Sequence, residues 1–180
     1  MKKMMITALI LVLAQIPYGQ TRPQVLETIR KQFQAINADA HLEKLELSGE
    51  DFLDEATDGG AQLTGFFKKD SLVKMVAWIG ISYGNRTQEF YLQDGKLFFA
   101  YVKFEAFVPN DSLQELDRSK TQVSFEGRYY FHDNKLVEKK IRGKYPLEEE
   151  QDERNRPKML QSDAKDFARR LIQSHKKSQH

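Results

Sequence analysis

The 180-residue chain has no cysteine. No disulfide can staple it, and it cannot be a lipoprotein acylated on an N-terminal Cys, so its stability must come from an apolar core. Long hydrophobic runs are missing as well. The apolar stretch from Met4 to Ala14, within MKKMMITALILVLAQIPYGQ, is eleven residues long, where a membrane-spanning helix needs about 20. A two-lysine head, that stretch, and small or polar residues after it make 1–20 a secretory signal peptide, with cleavage expected after Ala14 or nearer Gly19. An excess of charge of one sign is also absent. The 28 Lys plus Arg face 26 Asp plus Glu; without Lys2 and Lys3 the balance is 28 − 2 = 26 against 26, and the mature chain is neutral. The basic pI of the precursor therefore argues for neither a nucleic acid nor an acidic membrane as partner. These features predict a periplasmic or secreted protein without stable membrane insertion, with one domain over 21–175 and a disordered tail over 176–180.

Signatures of chemistry are equally scarce. His41, His132, His175 and His180 are scattered, and none has a ligand at metal spacing. No Gly-rich phosphate loop and no GxSxG elbow occurs. The acidic stretch SGEDFLDEATDGG puts Asp54, Asp58 and Gly59 at positions one, five and six of an EF-hand loop. Ala56 and Gly65 then fall on positions three and twelve, where ligands are required, so the stretch reads as a solvated connection. Phe99 to Phe104 matches the second half of an RNA-recognition signature. Leu97 and Phe98 replace its leading basic residue and Gly, and a neutral chain lacks attraction for phosphate, so no nucleic acid is expected. The sequence names no catalytic residue, no metal ligand and no cofactor.

What the chain does have is an aromatic block. Residues 61–108 hold more than half of the twenty Phe, Tyr and Trp residues, in runs that alternate apolar with polar between short turns, the pattern of antiparallel strands. FFKKDSLV (66–73), YLQDGKLF (91–98) and YFHDNKLV (130–137) superimpose without gaps, at spacings of 25 and 39 residues, as one hairpin used three times. Asp94-Gly95 and Asp133-Asn134 suit type I′ turns, and Lys69-Asp70 suits one less well. Before the block, Thr21 and Gln24 form a capping box for an amphipathic helix carrying Leu26, Ile29, Phe33 and Ile36, and His41–Leu47 follows as a short strand. Residues 109–120 read as a polar connection with one helical turn. After the last hairpin, Leu160, Ala164, Phe167, Ala168 and Leu171 mark a second amphipathic helix. The fold class is α+β: an antiparallel meander of six or seven strands with the N-terminal and C-terminal helices packed on it.

Counting outwards from the Asp94-Gly95 turn pairs Leu92 with Leu97, Tyr91 with Phe98, Phe90 with Phe99, and Gln88 with Tyr101. Strand alternation then puts Phe98, Ala100, Val102, Phe104, Ala106 and Val108 on an apolar face. Phe90, Phe99 and Tyr101 form an aromatic strip on the other face, and this strip is the candidate ligand-binding site. The series GFFKKDSLVKMVAWIGISYGNRTQEFYLQDGKLFFAYVKFEAF, followed by FEGRYYFHDNKLVE, resembles a group of small exported bacterial proteins of unknown function over about residues 25–145. In outline the helix-then-sheet order is also similar to the PepSY and β-lactamase-inhibitor-protein folds, a resemblance that implies binding or inhibition of other proteins. Two functions follow as expectations. One is a non-enzymatic binding module of the cell envelope, taking a protein or small apolar ligand on the aromatic sheet face. The other is a hydrolase or lyase with an acidic site in the concavity of the sheet.

Overall fold

The structure, a computed structural model, describes residues 21–110, 115–146 and 150–179, the last stretch with side chains from Glu153 onward. The signal peptide expected over 1–20 lies outside the described residues. Seven strands, β1 (Glu43–Ser48), β2 (Ala61–Lys68), β3 (Ser71–Ile81), β4 (Gly84–Gln93), β5 (Lys96–Asn110), β6 (Glu115–His132) and β7 (Lys135–Gly143), form one antiparallel sheet in the order of the chain. Helix α1 (Arg22–Ala38) precedes the sheet, a single turn α2 (Gly49–Phe52) links β1 to β2, and α3 (Glu150–Ser178) follows β7. The fold is the expected α+β meander with a helix at each end. Two local expectations change: β5 and β6 run on through most of 109–120 as paired strands, with no helical turn among the described residues there. Helix α3 also continues through Ser178, into the stretch expected as a tail.

The two long helices, α1 and α3, lie across the strands on opposite faces of the sheet. Helix α1 starts as foreseen, with Gln24 Oε1 accepting from the Thr21 backbone N–H at 2.8 Å. It begins over β7, where Arg22 meets Glu138 at 3.7 Å, and ends over β2 and β3, where Lys74 donates to Asn37 at 2.8 Å and Lys68 pairs with Asp39 at 2.9 Å. Helix α3 crosses the other face in the same direction. Glu153 meets Lys139 of β7 at 3.1 Å, Phe167 packs edge-on to Phe90 at 5.8 Å, and the His175 ring stacks on Phe67 at 4.0 Å. The larger core lies beneath α3, from Leu63 and Met75 through Phe90, Val102 and Phe104 to Phe125 and Phe131. A smaller one, Val25, Leu26 and Ile29 on Tyr91, Phe98, Phe99 and Tyr130, lies beneath α1.

The three like-sequenced hairpins share a feature that counting from the turn did not include. After two pairs, the returning strand carries one extra residue: Val73 in the first, Phe98 in the second, Val137 in the third. Such a bulge moves every later residue of that strand by one pairing position. Leu92 does oppose Leu97, but Tyr91 opposes Phe99, Phe90 opposes Ala100, and Gln88 opposes Val102. The expected pairs Tyr91–Phe98, Phe90–Phe99 and Gln88–Tyr101 are therefore corrected. Phe98 is also corrected in face: it packs with Phe99 under α1, while Ala100, Val102 and Phe104 stay in the core under α3. The turn chemistry itself is as expected, with φ of 50° at Asp94, 73° at Gly95, 47° at Asp133 and 59° at Asn134.

Candidate functional site

With the bulges placed, the α1 side of the sheet resolves into cross-strand rows. One row runs from β2 to β7 through Phe66, Lys74, Tyr91, Phe99, Tyr130 and Glu138, and α1 lies along it. The next row, two residues further along every strand, is Thr64, Val76, Glu89, Tyr101, Arg128 and Lys140. Beyond it comes Gln62, Trp78, Thr87, Lys103, Glu126 and Arg142. These two rows share the side of the sheet that α1 covers, because side chains two apart on a strand point the same way. Helix α1 does not reach the last row. The chain's one tryptophan, Trp78, is 38% exposed there, between Gln62 and Thr87.

The structure does not bring the three expected site residues together. Phe90 is fully buried on the opposite face, beneath Phe167 of α3. Phe99 is 6% exposed, with the Phe33 ring of α1 at 5.2 Å and Tyr130 at 5.1 Å. Tyr101 alone stands at the border of the open rows, half-buried. Its hydroxyl donates to Glu126 Oε1 at 2.6 Å, and the Arg128 guanidinium lies 5.1 Å from its ring centre. Burial, then the bond to Glu126, pushes the Tyr101 phenol up to about 12. The charges around it are paired within the face: Lys103 with Glu105 at 2.9 Å, Arg128 with Glu126 at 3.5 Å, and Lys74 with Glu89 at 3.3 Å. What is left for a partner in the middle of the face is Val76, Trp78, Thr64 and Thr87. Sequence reasoning passed over Trp78; a tryptophan two positions from Val76 and four from Lys74, on the set opposite Met75, Ala77 and Ile79, was the available signal.

A second polar group was also missed. On β4, Arg86 and Gln88 occupy positions that face α3, in step with Phe90 and Leu92. The buried Gln88 amide donates to Asp163 of α3 at 3.4 Å, and Arg86 Nε is buried without a hydrogen-bond partner among the described residues. Burial, only partly offset by Gln88 and Arg86, raises the Asp163 carboxyl above its ordinary value. A folded-state value above the unfolded one means that Asp163 favours folding below its unfolded pKa, and that this contribution is lost as pH rises through the folded value. Asp163→Asn should therefore raise the urea midpoint at pH 7, with the gain fading as pH falls toward about 4. A gain that persists unchanged at low pH would assign the effect to packing and not to charge. Among the described residues, no three His, Asp or Glu side chains converge as a metal set would, and no helix is long and apolar enough to cross a membrane. No protein-family model, no curated protein and no solved structure matches the chain.

Proposed function

We propose that the chain is an exported, non-enzymatic binding module of the cell envelope that takes a protein partner on the open end of its α1-side sheet face. The observation that carries this reading is the half-exposed Trp78 beside Val76, on a seven-stranded platform where α1 stops short. Trp, Tyr and Arg dominate the energetics of protein interfaces; Tyr101 and Arg128 face each other across β5 and β6, one row from the row of Trp78. The partner is a protein surface that offers an apolar group to Trp78 and Val76 within a polar rim. Because the surrounding charges are already paired with one another, association should depend little on salt. A hydrolase or lyase would need a carboxyl of raised pKa in an open cleft; among the described residues Asp163, whose carboxyl burial raises, instead faces Gln88 between sheet and helix.

The test is site-specific photo-crosslinking in intact cells, with the photoreactive group at Thr87 or, as a control, at exposed Lys158 on α3. The expected result is one discrete adduct from Thr87, absent from Lys158, in which the chain begins between Gln15 and Thr21. The same adduct should be lost with Trp78→Ala, since a hot-spot tryptophan contributes about 2 kcal/mol or more, roughly a thirtyfold loss of affinity. Identical adducts from both positions, or none from either, would remove the site.

A further inference from the structure

The turn end of the sheet holds a second candidate, far along the strands from Trp78. The register between β3 and β4 stops at Lys74 opposite Tyr91, while the β2–β3 and β4–β5 hairpins run on to their turns. The two hairpin ends part, and a cleft of about 510 Å³ opens between them, within the range of small-molecule sites. Leu72 and Val73 line it from one hairpin and Leu92 and Phe98 from the other, with Ile36 of α1 and Ile172 of α3 closing the sides. Val73 and Phe98 are the extra residues of the two bulges, so the feature that seats α1 also shapes this cleft. Ile172 is 38% exposed.

Charge at the mouth is of one sign. The charged residues lining the cleft are Asp70 and Asp94, one from each turn, beside the neutral Ser71, Gln32 and Gln93. Asp70 receives one long contact from the Gln179 amide, at 3.5 Å. A hydrogen bond from Gln32 to Gln93 stands between this cleft and a smaller one of about 320 Å³ between the second and third hairpins, where Lys96 and His132 join Asp94 and Asp133. The larger cleft therefore pairs an apolar floor with an acidic rim.

We infer that this cleft binds a small amphiphile with a short apolar body and a cationic head. The body lies against Leu72, Val73, Phe98 and Ile172, and an ammonium group sits between the carboxylates of Asp70 and Asp94. Trp78 lines neither cleft, so this site and the sheet-face interface stand or fall separately.

The experiment follows the methyl resonances of Ile36, Val73 and Ile172 during titration of the full chain with n-octylammonium, octanol and octanoate in turn. The expected result is saturable shifts with n-octylammonium and binding of octanoate about tenfold weaker or more, the scale of one favourable charge contact near a protein surface. Asp70→Asn with Asp94→Asn should erase the preference for ammonium over octanol while leaving octanol binding unchanged. Ile172→Trp, at a half-exposed position, should fill the cleft and abolish the shifts without lowering the melting temperature. Equal binding of all three head groups would overturn the cationic ligand. The site itself would be overturned by shifts that survive Ile172→Trp, by the absence of saturation, or by shifts that track protein concentration alone and so report a second copy of the chain in the cleft.

Discussion

Phe90→Ala and Phe99→Ala are each expected to lower the free energy of unfolding in urea by about 3–5 kcal/mol, and Tyr101→Ala by only about 1–2 kcal/mol. Phe90 is sealed between β4 and α3, and Phe99 between β5 and α1, so truncating either leaves a cavity that neighbouring strands cannot collapse to fill. Tyr101 is half-buried and loses chiefly its bond to Glu126 and its contact with Arg128. The three residues sit on neighbouring positions of two strands, yet the expected losses follow the helices and not the sequence. A Tyr101→Ala loss as large as that of Phe99→Ala would mean that α1 covers the Tyr101 row too, and would take Tyr101 out of the open face.

The other large effect belongs to Gly143, at the end of β7. Its φ is 76°, and a Cβ added there would stand 2.0 Å from the backbone oxygen of Ser124, which already accepts from the Lys144 N–H at 2.9 Å. This turn carries the chain from the sheet edge to Tyr145, whose ring packs on Phe104 at 5.0 Å with the Arg156 guanidinium 4.7 Å away. Gly143→Ala combines left-handed strain of about 1–2 kcal/mol with an overpacking cost of about 1–3 kcal/mol, because the obstacle is backbone and cannot rotate aside. Gly95→Ala is the matched control: φ is 73°, but no atom lies within 4 Å of its added Cβ. It should show the strain alone. Equal urea midpoints for the two variants would mean that β7 and Ser124 separate at no cost, and that Gly143 does not hold the chain end against the sheet.

Reading the sequence located the three hairpins, the strands they join and the two helices, and all of these depend on short-range chemistry. A two-residue turn with both φ positive selects Asp-Gly and Asp-Asn. The Thr21–Gln24 capping box is set by residues three apart. The three copies of one eight-residue pattern were visible as a repeat, although their shared meaning, an extra residue at Val73, Phe98 and Val137, was not. A bulge leaves no composition mark at these positions. In the second hairpin it turns Phe98 and Phe99 together toward α1, and α1 is remote in sequence from all three.

The candidate site shows the same division more sharply. Local alternation determined that Ala100, Val102 and Phe104 share a face and that Tyr101 lies on the other, because the side-chain period of a strand is two wherever no bulge intervenes. Whether Phe90 joined Phe99 depended on one inserted residue, and whether either was open depended on where the helices came to rest. Tertiary structure decided both. Helix α1 settles along the row of Tyr91, Phe99 and Tyr130 because the bulges concentrate aromatic area there, and it leaves Trp78 half-exposed two rows away. Helix α3 settles on the other face over the larger apolar core, where Gly65, lacking a Cβ, leaves room for Leu171 to approach β2 closely. Packing of this kind is chosen by the sum of many distant contacts, each small, and no window along the chain contains it.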